Sequence, residues 1–243
     1  MAEAALAIVL FLSSILSGAT AIAGGTIAIG ALYLIYPLPE ALVIHGLLYI
    51  AINIYRIYLF FDDLNWKLFF HFAGAAVLVY YPVSLLEFVP DKRTSFVVIG
   101  VASILIGLFK LGPCIDPDKN IHTWLSGALV PVFTIFFGVH APVMDVYFAR
   151  AKISKESVMS TKSIIAMSGH IMKVIYFYPL TNMALNISPS WKSWVVVLAL
   201  ISLAGIFVGK LMVGRMSDKM FKTAGNALIA FCGVVYLVRG LAY

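Results

Sequence analysis

The chain contains few charged residues. Asp, Glu, Lys and Arg make up 12% of its 243 residues, about half of their share in a typical soluble domain. Hydrophobic residues make up 62%, which excludes both a soluble globular enzyme and a disordered chain. Since a membrane span needs about 20 apolar residues, about eight spans would use most of the sequence. We therefore expect a membrane protein without a separate soluble domain.

The motifs of soluble enzymes are also missing. The sequence contains no HExxH, GxSxG, Walker A or CxxC pattern, so we expect no enzyme activity, no metal centre and no cofactor. Without a nucleotide-binding loop, primary active transport by this chain alone is excluded. Cys114 falls in a predicted loop and Cys232 in the middle of a hydrophobic segment, which argues against a disulfide between them.

The N-terminal region is similar to a secretion signal at one point, the small residues 19–21. However, residues 1–3 contain no Lys or Arg, and the apolar run continues well beyond residue 21. We therefore expect a first membrane segment rather than a signal peptide.

Charged and turn residues divide the chain into two sets of four hydrophobic segments. One set lies in 1–111 and the other in 121–243, separated by a polar linker at 112–120 with two prolines, a glycine and three charges. The predicted fold is an all-α polytopic membrane protein of two four-segment repeats, with the first segment of each broken or re-entrant. The segments cover residues 4–39, 40–61, 66–86, 95–111, 121–150, 154–178, 191–212 and 221–241.

The first segment of each repeat is too long for one simple span and contains small residues that predict interruptions. The first half is expected to break near Gly18 and again at Gly24-Gly25, and the second half at Gly138 and Pro142. A helix interrupted at membrane depth frees backbone groups, which must be covered by protein or line a water-filled cavity. Paired interruptions in two halves therefore indicate a transporter binding site.

An offset of 117 residues aligns the two interruptions, because it places 21–25 on 138–142. Half-helices that begin there would present free N–H groups, which favour an anion. The alternative is that the glycines only allow helices to approach closely. The candidate binding residues at the interruptions are Gly24, Gly25, Thr26, Gly138, His140 and Pro142.

Two further segments each carry polar residues on one helical face, at intervals of four, four and three residues. The same offset of 117 aligns the two faces. They are formed by His45, Tyr49, Asn53 and Arg56 in the second segment, and by Lys162, Ala166, His170 and Lys173 in the sixth. All of these except Tyr49 and Ala166 are candidate substrate-binding residues.

The cations on these faces have no acidic partner at an i,i+4 position within the two segments. Unpaired cations that face a cavity predict an anion site. For Arg56 and Lys173 the alternative is that the long side chain reaches the membrane interface.

Asp145 and His140 are the candidates for proton coupling. His140 lies at the second interruption and could titrate with pH. Asp145 follows Pro142 by three residues, and burial would favour its protonated form. Alternatively, Asp145 pairs with a cation or caps the broken helix.

The distribution of Lys and Arg gives the expected orientation. Eight full spans would place 9 of these residues on one side and 5 on the other, whereas re-entrant first segments would give 10 and 4. In both arrangements the richer side is cytoplasmic and both termini are external. The counts leave open whether the repeats are parallel or inverted.

The residues that surround these features resemble the sulfite exporter TauE/SafE family. The resemblance is carried by 21–26 and 138–142, by 39–66 with Asn53 and Asp63-Leu64-Asn65-Trp66, and by 209–240 with Gly225, Gly233 and Arg239. It implies a secondary transporter in a prokaryotic plasma membrane that exports sulfite, an organosulfonate or a related small anion. The expected partners are that anion, membrane lipid, a coupling proton and a second copy of the chain, but not nucleic acid.

Two other functions remain open. The same cations could line an anion channel, in which flux would rise linearly with substrate and show no counterflow. A non-transporting membrane subunit would have no activity alone. A membrane-embedded enzyme would need a cluster of nucleophiles or metal ligands, whereas the histidines are scattered along the sequence.

Overall fold

A computed structural model describes residues 2–20, 24–109, 119–181, 190–213 and 215–242 of the chain. Within these residues it contains α-helices and short 3₁₀ turns but no strand, which confirms the all-α polytopic fold class. The α-helices of these ranges are α1 Ala2–Thr20, α2 Gly24–Ile35, α3 Leu38–Leu59, α4 Trp66–Ser84, α5 Lys92–Phe109, α6 Asn120–Phe137, α7 Ala141–Arg150, α8 Lys155–Phe177, α9 Ser190–Val213 and α10 Asp218–Leu241.

Most of the predicted segments correspond to one helix each, with ends that differ by a few residues. Polar residues between apolar runs explain several helix starts, because their side chains accept hydrogen bonds from free N–H groups of the first turn. Asn65 accepts from Leu68 N at 3.1 Å, Ser154 from Ser157 N at 3.1 Å, and Ser217 from Met220 N at 3.2 Å. The predicted linker at 112–120 lies outside the described residues except for 119 and 120.

Four of the described helices are long and apolar enough to cross a membrane, and α1 and α2 contain shorter apolar stretches. Large apolar side chains cover the outside, such as Leu78, Ile175 and Phe231 with exposures of 68%, 60% and 67%. Such surfaces suit contact with lipid acyl chains rather than water. The four candidate spans among the described residues are Leu38–Leu59, Asn120–Phe137, Ser193–Val213 and Thr223–Leu241.

The first interruption reverses the chain. Gly24, at the start of α2, lies beside Ser13 and Ser17 of α1, and an added Cβ would be 2.5 Å from the Ser13 carbonyl oxygen. The connecting residues 21–23, which carry the predicted motif, are outside the described part of the chain. The predicted break near Gly18 is wrong, because α1 continues through it. Gly18 instead allows close packing, since a Cβ there would be 2.7 Å from the Ile206 carbonyl oxygen.

The second interruption also reverses the chain. Gly138 ends α6 with a left-handed backbone at φ 77°, and Pro142 occupies the first turn of α7. Only glycine adopts such a φ without strain, whereas proline is tolerated where the N–H would lack a helical partner. Because α7 runs back along α6, the Tyr147 hydroxyl reaches Thr123 Oγ1 at 2.8 Å.

The helices of one half pack on those of the other. Four pairs dominate: α1 with α9, α3 with α8, α4 with α6, and α5 with α10. The α3–α8 pair is antiparallel, since His45 contacts Lys173 whereas Arg56 contacts Ser163. The α1–α9 pair is parallel, because Gly205 lies against Phe11 and Gly209 against Ile15.

Candidate functional site

A cavity lies where the two helical hairpins meet the α3–α8 pair. Its volume, taken as the space that the centres of water molecules can occupy, is about 60 Å³. It is lined by Ser17, Gly25, Thr26, His45, Tyr49, Asn53, Arg56, Val139, His140, Ala141, Met144, Asp145, Lys162, Ala166, His170 and Lys173. The lining thus combines both interrupted hairpins with both polar helix faces.

Most of the candidate residues from the sequence come together in this lining. Three do not: Gly24, Gly138 and Pro142 lie next to the cavity but outside its wall. Gly24 packs against α1, whereas the other two form the end of α6 and the start of α7. These three residues shape the backbone turns, and the neighbours Gly25, Val139 and Ala141 line the cavity.

Arg56 is held by neutral oxygen acceptors. The side chain is buried, with 4% exposure. Its Nη2 donates to Ser17 Oγ at 2.7 Å and to the Ser17 carbonyl at 3.1 Å, and its Nη1 donates to Ser163 Oγ at 3.3 Å and to Asn53 Oδ1 at 3.4 Å. The side chain therefore stays inside the protein and does not extend to the interface, which was the alternative from sequence.

Lys173 is fully buried and contacts the imidazole of His45, with Nζ 3.1 Å from Nδ1. The other ring nitrogen of His45 lies 3.0 Å from the Gly25 carbonyl oxygen. Since a carbonyl only accepts, Nε2 carries the proton and Nδ1 accepts from the ammonium. His45 is therefore a neutral acceptor that orients Lys173, and it ties the start of α2 to α8.

Lys162 forms a buried ion pair with Asp145, and the two side chains are 8% and 4% exposed. The expectation that the cavity cations lack acidic partners is therefore wrong for Lys162. The search for i,i+4 partners considered only the same helix, whereas this partner comes from α7, after the second interruption. The contact agrees with the alternative that Asp145 pairs with a cation. No carboxylate of the described residues lies within 4.0 Å of Arg56 or Lys173.

Three histidine rings form one wall of the cavity. The ring centroid of His170 lies 5.2 Å from that of His45 and 4.7 Å from that of His140. The Thr134 hydroxyl donates to the Val130 carbonyl at 2.7 Å, so it accepts from His140 Nδ1 at 3.1 Å. The described residues form no metal-binding cluster of His, Cys, Asp or Glu.

The lining carries an excess of positive charge. Arg56, Lys162 and Lys173 stand against one carboxylate, Asp145, which leaves a formal excess of two positive charges when the histidines are neutral. A buried cation without a counter-ion is costly. The arrangement is thus suited to accept negative charge from a molecule that enters the cavity.

Several buried polar atoms of the lining have no hydrogen-bond partner among the described residues. They are Tyr49 Oη, Arg56 Nε and His170 Nδ1. Buried polar groups are normally satisfied, so each such atom needs an explanation. Because the Arg56 Nε–H can only donate, a molecule that satisfied it would present an acceptor such as an oxyanion oxygen.

Ser17 and Tyr49 belong to the lining but were not among the candidate residues. Tyr49 stacks on His45 with ring centroids 4.4 Å apart, and its place on the polar face of the second segment was a usable signal. Ser17 carried a weaker signal, since a single serine in an apolar segment commonly bonds to its own helix. Its contact with Arg56 joins α1 to a position 39 residues further along the chain, which the sequence does not predict.

The comparison with known families bears on this site as a whole. A family model described as sulfite exporter TauE/SafE matches residues 6–236. The chain belongs to the TauE/SafE family. The matched TauE/SafE region includes both chain interruptions and every residue of the cavity lining. Membership implies a membrane transporter of sulfite or related anions. No curated protein and no solved structure matches the chain.

Proposed function

We propose that this TauE/SafE protein is a secondary transporter that exports a small sulfur-containing anion and binds it in the cavity between the two hairpins. The main support for this proposal is the set of buried cations around that cavity. Two of them, Arg56 and Lys173, have no carboxylate within 4.0 Å among the described residues. An anion that enters would supply the missing charge. Arg56, Lys162 and Lys173 would provide the positive potential, and His45, Asn53 and His170 would orient them.

The cavity size favours a compact oxyanion. A volume of 60 Å³ open to water centres corresponds to about four to six water molecules. Sulfite, a sulfur atom with three oxygens, fits this space better than an organosulfonate with a carbon arm. The N–H groups at the start of α2, from Gly24 to Thr26, would add donors, because a helix N-terminus favours negative charge.

Alternating access would come from two inverted repeats, 1–111 and 121–243, joined by the linker 112–120. The offset of 117 relates α3 to α8, and these two helices are antiparallel. Under it His45 corresponds to Lys162 and Arg56 to Lys173, so the His45–Lys173 contact corresponds to a contact between Arg56 and Lys162. The observed neighbour of Arg56 is Ser163, the next residue. Rocking of inverted repeats about a central site is a common transport mechanism.

The reversal of the chain at both interruptions also bears on orientation. Re-entrant hairpins correspond to the arrangement with 10 Lys and Arg residues on one side and 4 on the other. By the positive-inside rule the richer side, with the α3–α4 and α7–α8 connections, would be cytoplasmic. Both termini would then lie outside the plasma membrane.

The first experiment measures the apparent melting temperature of the purified protein against sulfite, sulfate, thiosulfate, sulfoacetate, taurine and simple carboxylates. A ligand that binds only the folded state raises this temperature in a saturable way. We expect the largest rise with sulfite. Lys173→Met should abolish the rise without lowering the stability of the ligand-free protein, because it removes a buried cation that has no carboxylate within 4.0 Å among the described residues.

The matched control is Lys219→Met, which removes an exposed lysine outside the cavity and should leave the sulfite response unchanged. Counterflow of labelled sulfite in proteoliposomes then tests the mechanism. A carrier exchanges substrate, whereas a channel gives linear flux without counterflow. A well-folded protein that responds to none of the anions and transports none would contradict the proposed function and favour a non-transporting subunit.

A further inference from the structure

Asp145 is an unexpected residue in a cavity for anions, because it is the one carboxylate among the described lining residues. We propose that Asp145 is an internal counter-ion that substrate displaces from Lys162, and that it takes up one proton when the anion binds. This inference rests on the proposed function of the same cavity. By this mechanism the proton crosses the membrane in the same direction as the anion.

The geometry sets up a competition. Asp145 Oδ1 accepts a hydrogen bond from Lys162 Nζ, and both groups are buried. Without substrate, the Asp145 carboxylate thus pairs with the Lys162 ammonium, which a substrate oxyanion would also need as its partner. Two negative groups close together in a poorly hydrated cavity repel strongly, so the substrate and an ionised Asp145 exclude each other.

Protonation removes this conflict. A proton from the solution that the cavity faces forms an O–H bond on the Asp145 carboxylate, and no other bond breaks within the protein. The Lys162 ammonium keeps its three protons and directs its N–H donors to the anion. The loaded site then holds one anion and one added proton, and the empty site returns with Asp145 and Lys162 paired.

The surroundings of Asp145 contain few other groups that could take the proton. The buried thiol of Cys232 on α10 lies within electrostatic range of the carboxylate, and a neutral thiol does not accept one. From α8 and α3 the neighbouring charges are Lys162 and Arg56, which are already cationic. Directly before α7, the remaining titratable group that lines the cavity is His140.

The histidines are less suited to this role. His45 uses Nε2–H toward the Gly25 carbonyl and Nδ1 as acceptor from Lys173, so a second proton would break the Lys173 contact. A second proton on His140 would add positive charge to a wall that already holds Lys162 and Lys173. Asp145 gains a proton without either conflict, since its protonated form is neutral.

The test measures proton uptake when sulfite binds to the purified wild-type protein in weakly buffered solution, at alkaline pH where sulfite is fully deprotonated. We expect about one proton per anion, and an affinity that falls about tenfold for each unit of pH increase. Asp145→Asn should bind sulfite without proton uptake and without this pH dependence. His140 also lines the cavity, so His140→Asn is read by stoichiometry and not by affinity. Whatever its affinity for sulfite, it should still take up about one proton for each anion bound, because the proton resides elsewhere.

The outcomes separate this inference from the proposed function. Sulfite binding by the wild-type protein without proton uptake would overturn the role of Asp145 alone, and so would uptake that disappears in His140→Asn but persists in Asp145→Asn. No binding of sulfite to a folded wild-type protein would remove the proposed function and this inference with it. The wild-type measurement decides the question even where Asp145→Asn does not fold.

Discussion

At the scale of single residues, the cavity places polar atoms where the fold gives them no partner. Tyr49 Oη and Arg56 Nε are both buried and unpaired within the described structure. Each lowers the stability of the empty protein, since a buried polar atom without a hydrogen bond has lost its hydration. Such atoms are a feature of sites that a ligand completes.

Tyr49→Phe tests this interpretation. The change removes an unpaired hydroxyl, so the ligand-free melting temperature should stay equal or rise. The Kd for sulfite should increase about three- to tenfold, the equivalent of one lost hydrogen bond. Tyr33→Phe is the matched control, because Tyr33 Oη is also buried without a hydrogen-bond partner among the described residues but lies outside the cavity lining. An equal effect of both variants on sulfite binding would contradict the assignment of Tyr49.

At the scale of elements, the α1–α2 hairpin brings two adjacent glycines to different surroundings. A Cβ on Gly24 would lie 2.3 Å from Ser17 Cβ, between the two arms of the hairpin. A Cβ on Gly25 would lie 3.3 Å from Tyr49 Cε1 and 3.7 Å from His45 Nε2, at the cavity wall. One glycine therefore serves helix packing, and the other keeps space at the site.

Gly24→Ala and Gly25→Ala should consequently have different effects. Gly24→Ala is expected to destabilise the protein by about 1–3 kcal/mol, the usual cost of overpacking, and to lower the melting temperature with or without sulfite. Gly25→Ala should change stability little and weaken sulfite binding, because the methyl group occupies cavity space. Stability assays and sulfite titrations on both variants check this, and a loss of stability confined to Gly25→Ala would contradict it.

At the scale of the whole molecule, the pairing of helices between the two halves determines which connections share a side of the membrane. Because α3 and α8 are antiparallel, the end of α3 and the start of α8 lie on the same side. The proposed inverted repeats therefore place Asp62 and Lys152 together and Leu86 on the opposite side. Eight full spans in parallel repeats would separate Asp62 from Lys152.

Labelling of single cysteines in a variant without Cys114 and Cys232 checks this prediction. Asp62, Leu86 and Lys152 are exposed, so a cysteine at each should be accessible to a membrane-impermeant thiol reagent. In intact cells only Leu86→Cys should react, whereas inverted vesicles should expose Asp62→Cys and Lys152→Cys. Labelling of Asp62→Cys and Lys152→Cys from opposite sides would contradict the inverted arrangement.

The sequence by itself determined the all-helical membrane fold, the approximate ends of most segments and the family. These features follow from local composition, since charged residues and helix caps such as Asn65 end apolar runs regardless of the tertiary structure. Much of the cavity could also be predicted, because polar residues such as His45 and Lys173 are costly exceptions in an apolar segment. The predicted helix break near Gly18 is wrong, because a glycine in a membrane helix allows close packing as readily as it interrupts the helix.

Only the tertiary structure decided which of these polar residues meet. The contact between His45 and Lys173 joins positions 128 residues apart, and the pairing of Lys162 with Asp145 crosses from α8 to α7. Helical periodicity gives the face of each residue but not the neighbour that covers that face. That neighbour depends on how the two hairpins reverse and how α3 crosses α8, and both arise from packing along the whole length of the helices.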